Sequence, residues 1–286
     1  MSIIVKNLTH VYSKNSPFER TAIKDVTFTI EDGEFIGLIG HTGSGKSTLI
    51  EHLNGLIKPE SGTIIIDGED ITAPGCNMSK IRSKVGLVFQ YPEYQLFEET
   101  VYKDIAYGPS NMGLTDDEIK RRVFEAADFV GISGDLMDKS PFELSGGQKR
   151  RVAIAGILAM EPTVLILDEP TAGLDPVGRN DIISRLKKLH KEKRTTIIIV
   201  SHSMEDIADT VEKVMVMSRG SLVLYDTCAK VFARAELLKS IGLDRPQICS
   251  VIDFFRERGY QVPEGIYNVE KIADIAYDII EGAKNA

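Results

Sequence analysis

The sequence predicts an α/β fold with a mostly parallel β-sheet covered on both faces. Unbroken apolar runs, the composition expected of strands buried on both sides, occur at 35–39, 85–89, 164–167 and 196–200. Stretches with apolar residues at helical spacing alternate with these runs, notably 116–130 and 147–159. This alternation is typical of parallel α/β sheets, whose ligands bind at the carboxyl ends of the strands.

Length and composition allow one large domain with a small appendage. The 286 residues carry a net charge of −8, which argues against a surface that coats nucleic acid. The cysteines, Cys76, Cys228 and Cys249, have no C-x-x-C spacing and are typical of reduced cytosolic thiols. The chain opens in a strand pattern rather than a signal peptide, and no apolar run reaches the roughly 18–20 residues needed to span a bilayer.

The large domain is expected to cover residues 1–235. Its first segment, to about Gln90, and a later one, from about Thr163 to Phe232, are predicted to share one sheet. The helical patterns between them predict a smaller subdomain at about 91–162. Amphipathic stripes predict a helical extension over 236–286. Such stripes most often form intramolecular core, but so short a segment can also bury apolar surface in a dimer.

A glycine-rich loop follows the first buried strand and precedes a helical stripe. Its residues match the pattern G-x-x-x-x-G-K-S/T: Gly40, His41, Thr42, Gly43, Ser44, Gly45, Lys46 and Ser47. The predicted helix carries Leu49, Ile50, Leu53, Leu56 and Ile57. In such a loop, backbone N–H groups and the helix N-terminus converge on phosphate. Lys46 is therefore expected to reach the β- and γ-phosphates of a nucleotide, and Ser47 to bind Mg²⁺; a chance glycine turn is the alternative.

Two carboxylates, Asp168 and Glu169, follow the strand at 164–167. An acidic pair in this place is usually a solvated turn or a helix cap. Because the carboxyl ends of parallel strands meet at one edge, these side chains are expected to face the glycine loop. Asp168 would then hold Mg²⁺, and Glu169 would polarise a water aimed at the γ-phosphate.

A second potential phosphate site consists of Leu144, Ser145, Gly146, Gly147 and Gln148 at the start of a helical pattern. One interpretation is a simple helix N-cap by Ser145. A single nucleotide needs only one phosphate loop, however. The second loop is therefore interpreted as closing over a nucleotide held by another subunit.

These motifs together resemble ATP-binding cassette (ABC) ATPases over residues 1–235. The resemblance implies ATP as substrate, Mg²⁺ as cofactor, and a RecA-like P-loop core with an antiparallel β edge and a helical subdomain. It implies nucleotide contacts by Tyr12, stacked on adenine, by residues 40–48 including Thr48, by the signature Ser145 to Gln148, and by Asp175 in the D-loop. It implies Mg²⁺ ligation by Ser47, Gln90 and Asp168, and catalysis by Lys46, Gln90, Glu169 and His202.

Three of these residues have ordinary alternatives when taken alone. A tyrosine such as Tyr12 at a strand end is usually packing. His202, after the apolar run at 196–200, resembles a structural hydrogen-bond donor, and Gln90 resembles a loop amide. The order and spacing of all the motifs favour the nucleotide-binding interpretation for each.

A narrower resemblance concerns energy-coupling factor (ECF) transporters. The segments that carry it are Ser16–Arg20, Gly40–Gly43, Phe89–Val101, Lys149–Pro162 and Leu243–Pro246, which are similar to the second ATPase of that group. The resemblance implies uptake of vitamins or transition-metal ions. It also implies a homologous ATPase partner, a transmembrane coupling protein and a membrane substrate-binding protein, with this subunit at the cytoplasmic face of the membrane. Whether the pair is a heterodimer or a homodimer stays open, as do another type of ABC transporter and a non-transport ABC ATPase.

Overall fold

Two β-sheets and a set of surrounding helices form the fold, in a computed structural model that describes residues 2–263, 267, 269 and 272–277. The strands are β1 Ile3–Tyr12, β2 Arg20–Ile30, β3 Phe35–Ile39, β4 Ser61–Ile66, β5 Glu69–Asp70, β6 Val85–Val88, β7 Val164–Asp168, β8 Thr196–Val200, β9 Lys213–Ser218 and β10 Ser221–Thr227. The helices are α1 Lys46–Leu53, α2 Met78–Lys84, α3 Val101–Ser110, α4 Asp116–Val130, α5 Gly146–Leu158, α6 Pro176–Lys193, α7 Met204–Thr210, α8 Cys228–Phe232, α9 Ala235–Ser240 and α10 Gln247–Glu257. Short 3₁₀ turns lie at Pro92–Gln95, Gly134–Leu136 and Pro141–Glu143.

The larger sheet has the order β10-β9-β3-β8-β7-β6 and is parallel except at β10. Strands β3, β6 and β8 are buried along their whole length, as their aliphatic runs predict. The register pairs Val88 with Leu167 and Asp168 with Val200. The carboxyl ends of β6, β7 and β8 therefore lie side by side, as the predicted α/β fold requires.

The expectation of one shared sheet holds for β3 and β6 but is wrong for the other strands of the first segment. Strands β1, β2, β4 and β5 form a separate antiparallel sheet of order β2-β1-β4-β5. One face of each long strand is buried and the other is exposed, the pattern of an antiparallel sheet with one solvated face. Helix α1 lies between the two sheets, because one apolar cluster joins Val5, Ile36, Leu49 and Ile64. This arrangement confirms the predicted antiparallel β edge.

Helix α1 ends earlier than its apolar stripe predicts. The helix stops at Leu53, so Leu56 and Ile57 lie beyond it. Gly55 takes a left-handed backbone with φ of 69°, which ends the helix. The Asn54 side chain also leaves the helix pattern and donates to the Val85 carbonyl, 2.5 Å away. In the sequence, Gly55 is the residue that indicates the end of the helix before Leu56.

The two helices predicted at 116–130 and 147–159 are present as α4 and α5. Helix α4 begins after Thr115, whose hydroxyl accepts from the Glu118 N–H, and ends at Gly131 with φ of 74°. Helices α3, α4 and α5 share an apolar cluster with the inner side of the large sheet. Packed on this side, the subdomain presents the start of α5 at the surface.

Beyond residue 235 the described part of the extension contains α9, α10 and a helical stretch at 272–277. Ile252, Val262 and Ile272 form a small core of its own. Of the apolar stripe predicted at 269–279, part lies outside the described residues. No helix in the described part of the chain combines the length and the apolar character needed to cross a membrane.

The approach of α7 to β3 depends on the absence of a side chain at Gly37. A Cβ there would lie 2.7 Å from Ile207 Cγ2 and 2.9 Å from Ile207 Cδ1. We expect Gly37→Ala to lower the free energy of unfolding by about 1–3 kcal/mol through overpacking, measured by urea denaturation. Ile207→Ala leaves a cavity instead, so the double variant should be less destabilised than the sum of the two. Additive losses would show that the two positions do not compete for space.

Candidate functional site

The glycine loop begins where β3 ends and closes around its own lysine. The Lys46 ammonium donates to the carbonyl oxygens of Gly40 at 2.7 Å and His41 at 3.2 Å. At Gly40 a Cβ would lie 2.3 Å from the Met217 carbonyl oxygen, and at Gly45 2.6 Å from that of Ala22. Only glycine fits these two approaches, and both residues have positive φ. The loop is thus held against both sheets.

Within the loop, the buried groups are polar. Burial lowers the pKa of Lys46, while Glu169 and Asp168 raise it by a smaller amount. Ser44 is fully buried, and its Oγ has no hydrogen-bond partner. Unpartnered buried polar atoms of this kind are rare in folded proteins and mark places where a ligand completes the bonding.

The predicted carboxylates lie beside the loop. Burial raises the pKa of Asp168 above its ordinary value, while the charge of Lys46 and next the neighbouring Ser47 hydroxyl lower it by smaller amounts. Glu169 follows with a left-handed backbone of φ 51°, and its N–H donates to the Val200 carbonyl at 2.9 Å. Burial and the neighbouring Asp168 raise the pKa of Glu169 to about 7. Glu169 Oε1 is buried and has no hydrogen-bond partner.

His202 faces the same point from the end of β8. Its Nε2 lies 3.4 Å from Glu169 Oε1, and its side chain is half-exposed. Burial, and next the charge of Lys46, lower the pKa of His202. The structure therefore brings together Lys46, Ser47, Asp168, Glu169 and His202, which are spread over more than 150 residues of sequence.

Two further predicted residues border this group. Gln90 is exposed just past the carboxyl end of β6, next to β7, and is followed by Tyr91 with φ of 55°. Tyr12 ends β1 and is 40% exposed, with its hydroxyl 3.3 Å from Thr48 Oγ1. The partly exposed Tyr12 ring thus lies beside the start of α1, next to the glycine loop.

The other side of the loop is open. Thr42 and Gly43 are exposed, and His41 Nδ1 lies 2.8 Å from the Thr42 carbonyl oxygen. These positions put the outer half of the loop in contact with solvent.

The signature segment begins α5 as a reciprocal cap. Ser145 Oγ accepts from the Gln148 N–H at 3.3 Å, and Gln148 Oε1 accepts from the Ser145 N–H at 3.0 Å. A Cβ at Gly146 or Gly147 would meet no atom within 4 Å, so the backbone here is open to an approaching molecule. Asp175 is likewise a cap, since its carboxylate accepts from the Gly178 N–H at 2.7 Å. In the single chain, Ser145 and Asp175 therefore act as helix caps. A contact of either residue with a second subunit is a separate question, because only one chain is present.

A functional position that the sequence analysis missed is Arg150 on α5, which is 3% exposed. Its guanidinium pairs with both carboxylate oxygens of Glu93, at 3.1 and 3.3 Å. It also donates to the Ala172 carbonyl at 2.6 Å and to the Pro170 carbonyl at 3.4 Å. Arg150 therefore joins the turn after Gln90, the signature helix and the loop after Glu169. The signal was its register with the buried Ile154, one helical turn away.

A second missed set stabilises the turn that carries His202. Arg179 donates to Asp206 at 2.5 Å and to the Ser203 hydroxyl at 2.7 Å. The Thr171 hydroxyl donates to the same Asp206 carboxylate at 3.1 Å. The loop after Glu169 and the turn after β8 are thereby tied to each other through α7.

The fold and this grouping define a P-loop nucleotide-binding domain of the ABC type. The ABC transporter family pattern matches residues 23–172. The chain is 55% identical over 285 residues to the "Energy-coupling factor transporter ATP-binding protein EcfA2" of Caldanaerobacter subterraneus subsp. tengcongensis, with all of both chains covered.

Solved structures give the same result. The cbiO1 structure from Clostridium perfringens, described as part of the ABC transporter complex cbiONQ, matches with a TM-score of 0.73 and 41% identity, over 88% of this chain and 98% of that one. The cassette MJ0796, solved as a dimer in a post-hydrolysis state with ADP and Pi, matches with a TM-score of 0.72 and 29% identity, over 79% and 98%. This chain belongs to the ABC transporter family of ATPases, in the group of energy-coupling factor ATP-binding proteins. The resemblance found in the sequence is confirmed.

The Arg150–Glu93 pair allows a test of how the three segments are joined. In Arg150→Met the Glu93 carboxylate, whose side chain is only 19% exposed, loses its partner. We expect the free energy of unfolding to fall by about 3–5 kcal/mol, measured by urea denaturation. Adding Glu93→Leu to this variant removes the unpaired charge and should recover part of the loss. No recovery in the double variant would contradict a pairing of the two charges.

Proposed function

We propose that this chain is the ATP-hydrolysing subunit of an ECF importer that powers uptake of vitamins or transition-metal ions through membrane partners. The observation that carries the proposal is the convergence of Lys46, Ser47, Asp168, Glu169 and His202 at one edge of the large sheet. The full-length similarity to an EcfA2 protein supports the ECF assignment.

The glycine loop binds the phosphates of ATP in this proposal. Backbone N–H groups of residues 40–48 surround the phosphates at the start of α1, where the helix dipole adds positive potential. The Lys46 ammonium exchanges its loop carbonyls for phosphate oxygens, and the Ser44 hydroxyl gains the partner it lacks. Tyr12 stacks on adenine above Thr48.

Ser47, Asp168 and Gln90 would hold the Mg²⁺ that accompanies the nucleotide. The Ser47 hydroxyl lies close enough to Asp168 to lower its pKa, and hydroxyl and carboxylate oxygens suit Mg²⁺. Mg²⁺ held by these residues would supply positive charge to the phosphate oxygens.

Glu169 and His202 act on the water that attacks the γ-phosphorus. A carboxylate with a pKa of about 7 is matched to proton abstraction near neutral pH. Glu169 takes a proton from the water as its oxygen bonds to phosphorus, and the bond to the leaving ADP oxygen breaks. His202, 3.4 Å from the carboxylate, orients the water and donates to the γ-phosphate. ADP and inorganic phosphate leave the site.

Glu169→Gln preserves shape but removes the proton acceptor. We expect it to bind ATP normally and to lower the hydrolysis rate by roughly 10²–10⁴-fold, because general base catalysis contributes about that factor. Binding is measured by calorimetry and turnover by phosphate release from the assembled complex. Near-normal turnover would remove Glu169 from the role of catalytic base.

The signature segment serves a nucleotide on a second, homologous ATPase subunit, in a heterodimer or a homodimer. The open backbone at Gly146 and Gly147 and the exposed hydroxyl of Ser145 lie at a helix N-terminus, where an anion is favoured. The related cassette solved as a dimer supports a paired arrangement. The extension at 236–286 adds dimer contacts, consistent with the half-exposed apolar Val251 and Phe254 on α10.

Ser145→Asp tests this contact without removing the helix cap. Aspartate caps helices as well as serine does, so we expect folding and ATP binding by the single chain to stay close to wild type. Its negative charge should repel the partner's γ-phosphate and prevent ATP-driven pairing, measured by gel filtration and turnover. Ser145→Asn, which caps without charge, is the matched control. Weaker ATP binding by the isolated chain would contradict a contact in trans.

A groove bordered by α2, the end of β6 and the helices α3 and α5 is the proposed docking site for the transmembrane coupling protein. It has a volume of about 980 Å³ and is lined in part by Phe89, Leu96, Tyr107 and Ala153. Exposed Phe97 also lines the groove, and exposed Tyr94 lies in the same segment, 91–101, which directly follows Gln90. Through that partner, and with a membrane substrate-binding protein, the chain would lie at the cytoplasmic face of the membrane.

The acidic residues of this segment differ in their availability. Glu93 is committed to Arg150, whereas Glu99 is exposed and pairs only with Lys103 on the next helical turn. Surface pairs of that kind contribute little stability. Glu99 can therefore exchange its partner for an arginine of the coupling protein, and the adjacent, partly buried Glu98 adds negative charge beside it.

Replacing Glu98 and Glu99 by lysine reverses the local charge. We expect ATP binding by the isolated chain to be unchanged, and recovery of the membrane complex and substrate uptake to fall. Glu125→Lys/Glu192→Lys, at exposed sites elsewhere, makes the same change in net charge and is the control. Equal recovery of the complex from both double variants would exclude Glu98 and Glu99 from the interface.

A further inference from the structure

Two histidines link Tyr12, the ring proposed to stack on adenine and here called the base platform, to α1, the helix that follows the glycine loop. His10 precedes Tyr12 by two residues on β1, and His52 follows Thr48 by four residues on α1. A spacing of two on a strand and of four on a helix each puts two side chains on one face. The rings of His10, Tyr12 and His52 and the hydroxyl and backbone carbonyl of Thr48 form a closed set of contacts, which we call the histidine circuit.

The contacts of the circuit are short on all four sides. The His10 ring stands edge-on to Tyr12, with centroids 4.5 Å apart and planes at 77°. It stands edge-on to His52 as well, at 4.7 Å and 74°. His52 Nδ1 lies 2.6 Å from the Thr48 carbonyl oxygen, and the Tyr12 hydroxyl lies 3.3 Å from Thr48 Oγ1. Edge-to-face ring pairs of this geometry contribute more than their buried area alone.

His52 is fixed in this position. Its side chain is fully buried, and burial lowers its pKa to about 4, so the ring is neutral near neutral pH. Because a carbonyl oxygen only accepts, the proton lies on Nδ1 and is donated to Thr48. His10 is tied in turn to the Lys58 carbonyl oxygen, 3.2 Å from its Nδ1.

The histidine circuit provides side-chain contacts between two parts of the fold that belong to different sheets. Tyr12 is the last residue of β1 and belongs to the antiparallel sheet, whereas the glycine loop follows β3 in the parallel sheet. The pairing of β1 with β2 is irregular between Leu8 and His10 and again between His10 and Val11. Irregularities of this kind bend a strand and re-aim its side chains, and beyond them Tyr12 is paired with Arg20. Besides the contact of the Tyr12 hydroxyl with Thr48 Oγ1, the side chains of His10 and His52 form a second connection between the ring and α1.

We propose that His10 and His52 are positioning residues for the nucleotide base. They fix the distance between the Tyr12 ring and the glycine loop. A ligand whose base and triphosphate are separated by that same distance can contact both at once and is therefore favoured. The site thereby prefers a nucleoside triphosphate to a triphosphate without a base. This inference rests on the proposed role of Tyr12 as the base platform.

The test compares ATP with inorganic triphosphate, both with Mg²⁺, binding to the full chain by calorimetry. His10→Phe keeps an aromatic edge against Tyr12, and His10→Leu fills the space without one. We expect His10→Leu to weaken ATP binding by roughly threefold to tenfold, the effect of losing an aromatic pair, and to change triphosphate binding by less than twofold. His10→Phe should restore ATP affinity to near wild type. His52→Gln, measured in the same way, serves if His10→Leu does not fold.

Tyr12→Ala distinguishes failure of the histidine circuit from failure of Tyr12 as the base platform. Should it lower ATP affinity selectively while His10→Leu has no effect, the base platform stands and the histidine circuit is refuted. Should Tyr12→Ala affect ATP and triphosphate alike, the platform itself is wrong, and the inference is refuted with it. A loss of both ligands in His10→Leu would reduce His10 to a folding role.

Discussion

The site is organised around one buried positive charge. Lys46 is drawn toward its neutral form by burial and held charged by the loop carbonyls and by Asp168 and Glu169. Every other polar group of the site is placed relative to this ammonium: Ser47 next to Asp168, and His202 against Glu169. Two carboxylates face a single cation, and burial, with the neighbouring charge of Asp168 second, raises the pKa of Glu169 to about 7. The arrangement leaves the buried Ser44 Oγ and Glu169 Oε1 without hydrogen-bond partners.

The interior of the parallel sheet was predictable because its signals are local. Runs such as Ile197 to Val200 are apolar throughout, and only a strand covered on both faces accepts that composition. The position of Asp168 and Glu169 at the carboxyl edge of the sheet was predictable for the same reason, because both residues directly follow an apolar strand in the sequence. The existence of two sheets was not predictable, because it depends on which strands pair. The alternating burial of β1 allows either a shared or a separate sheet, and the choice is settled by contacts remote in sequence.

Arg150 shows a different limit of sequence reasoning. In the run Lys149-Arg150-Arg151 it resembles a solvated basic cluster, and an arginine is rarely so fully buried. What distinguishes it is Glu93, which lies 57 residues earlier in the chain. The signature segment illustrates the complementary case, since its motif is legible but its proposed ligand belongs to a second molecule. Motifs thus reveal chemistry that one strand or loop contains, and miss chemistry that is assembled from several.

The backbone at Glu169 records a conflict between stability and chemistry. Its φ of 51° is a conformation in which a side chain costs of order 1–3 kcal/mol, and Tyr91, just past the end of the neighbouring strand, has a φ of 55°. Glycine would adopt either backbone without strain. A chain optimised for stability alone would carry glycine at both positions, and it would lose a carboxylate from the centre of its site. The strained turns are therefore places where thermostabilising substitutions and activity are opposed, and a stability screen that is blind to turnover would select against the site itself.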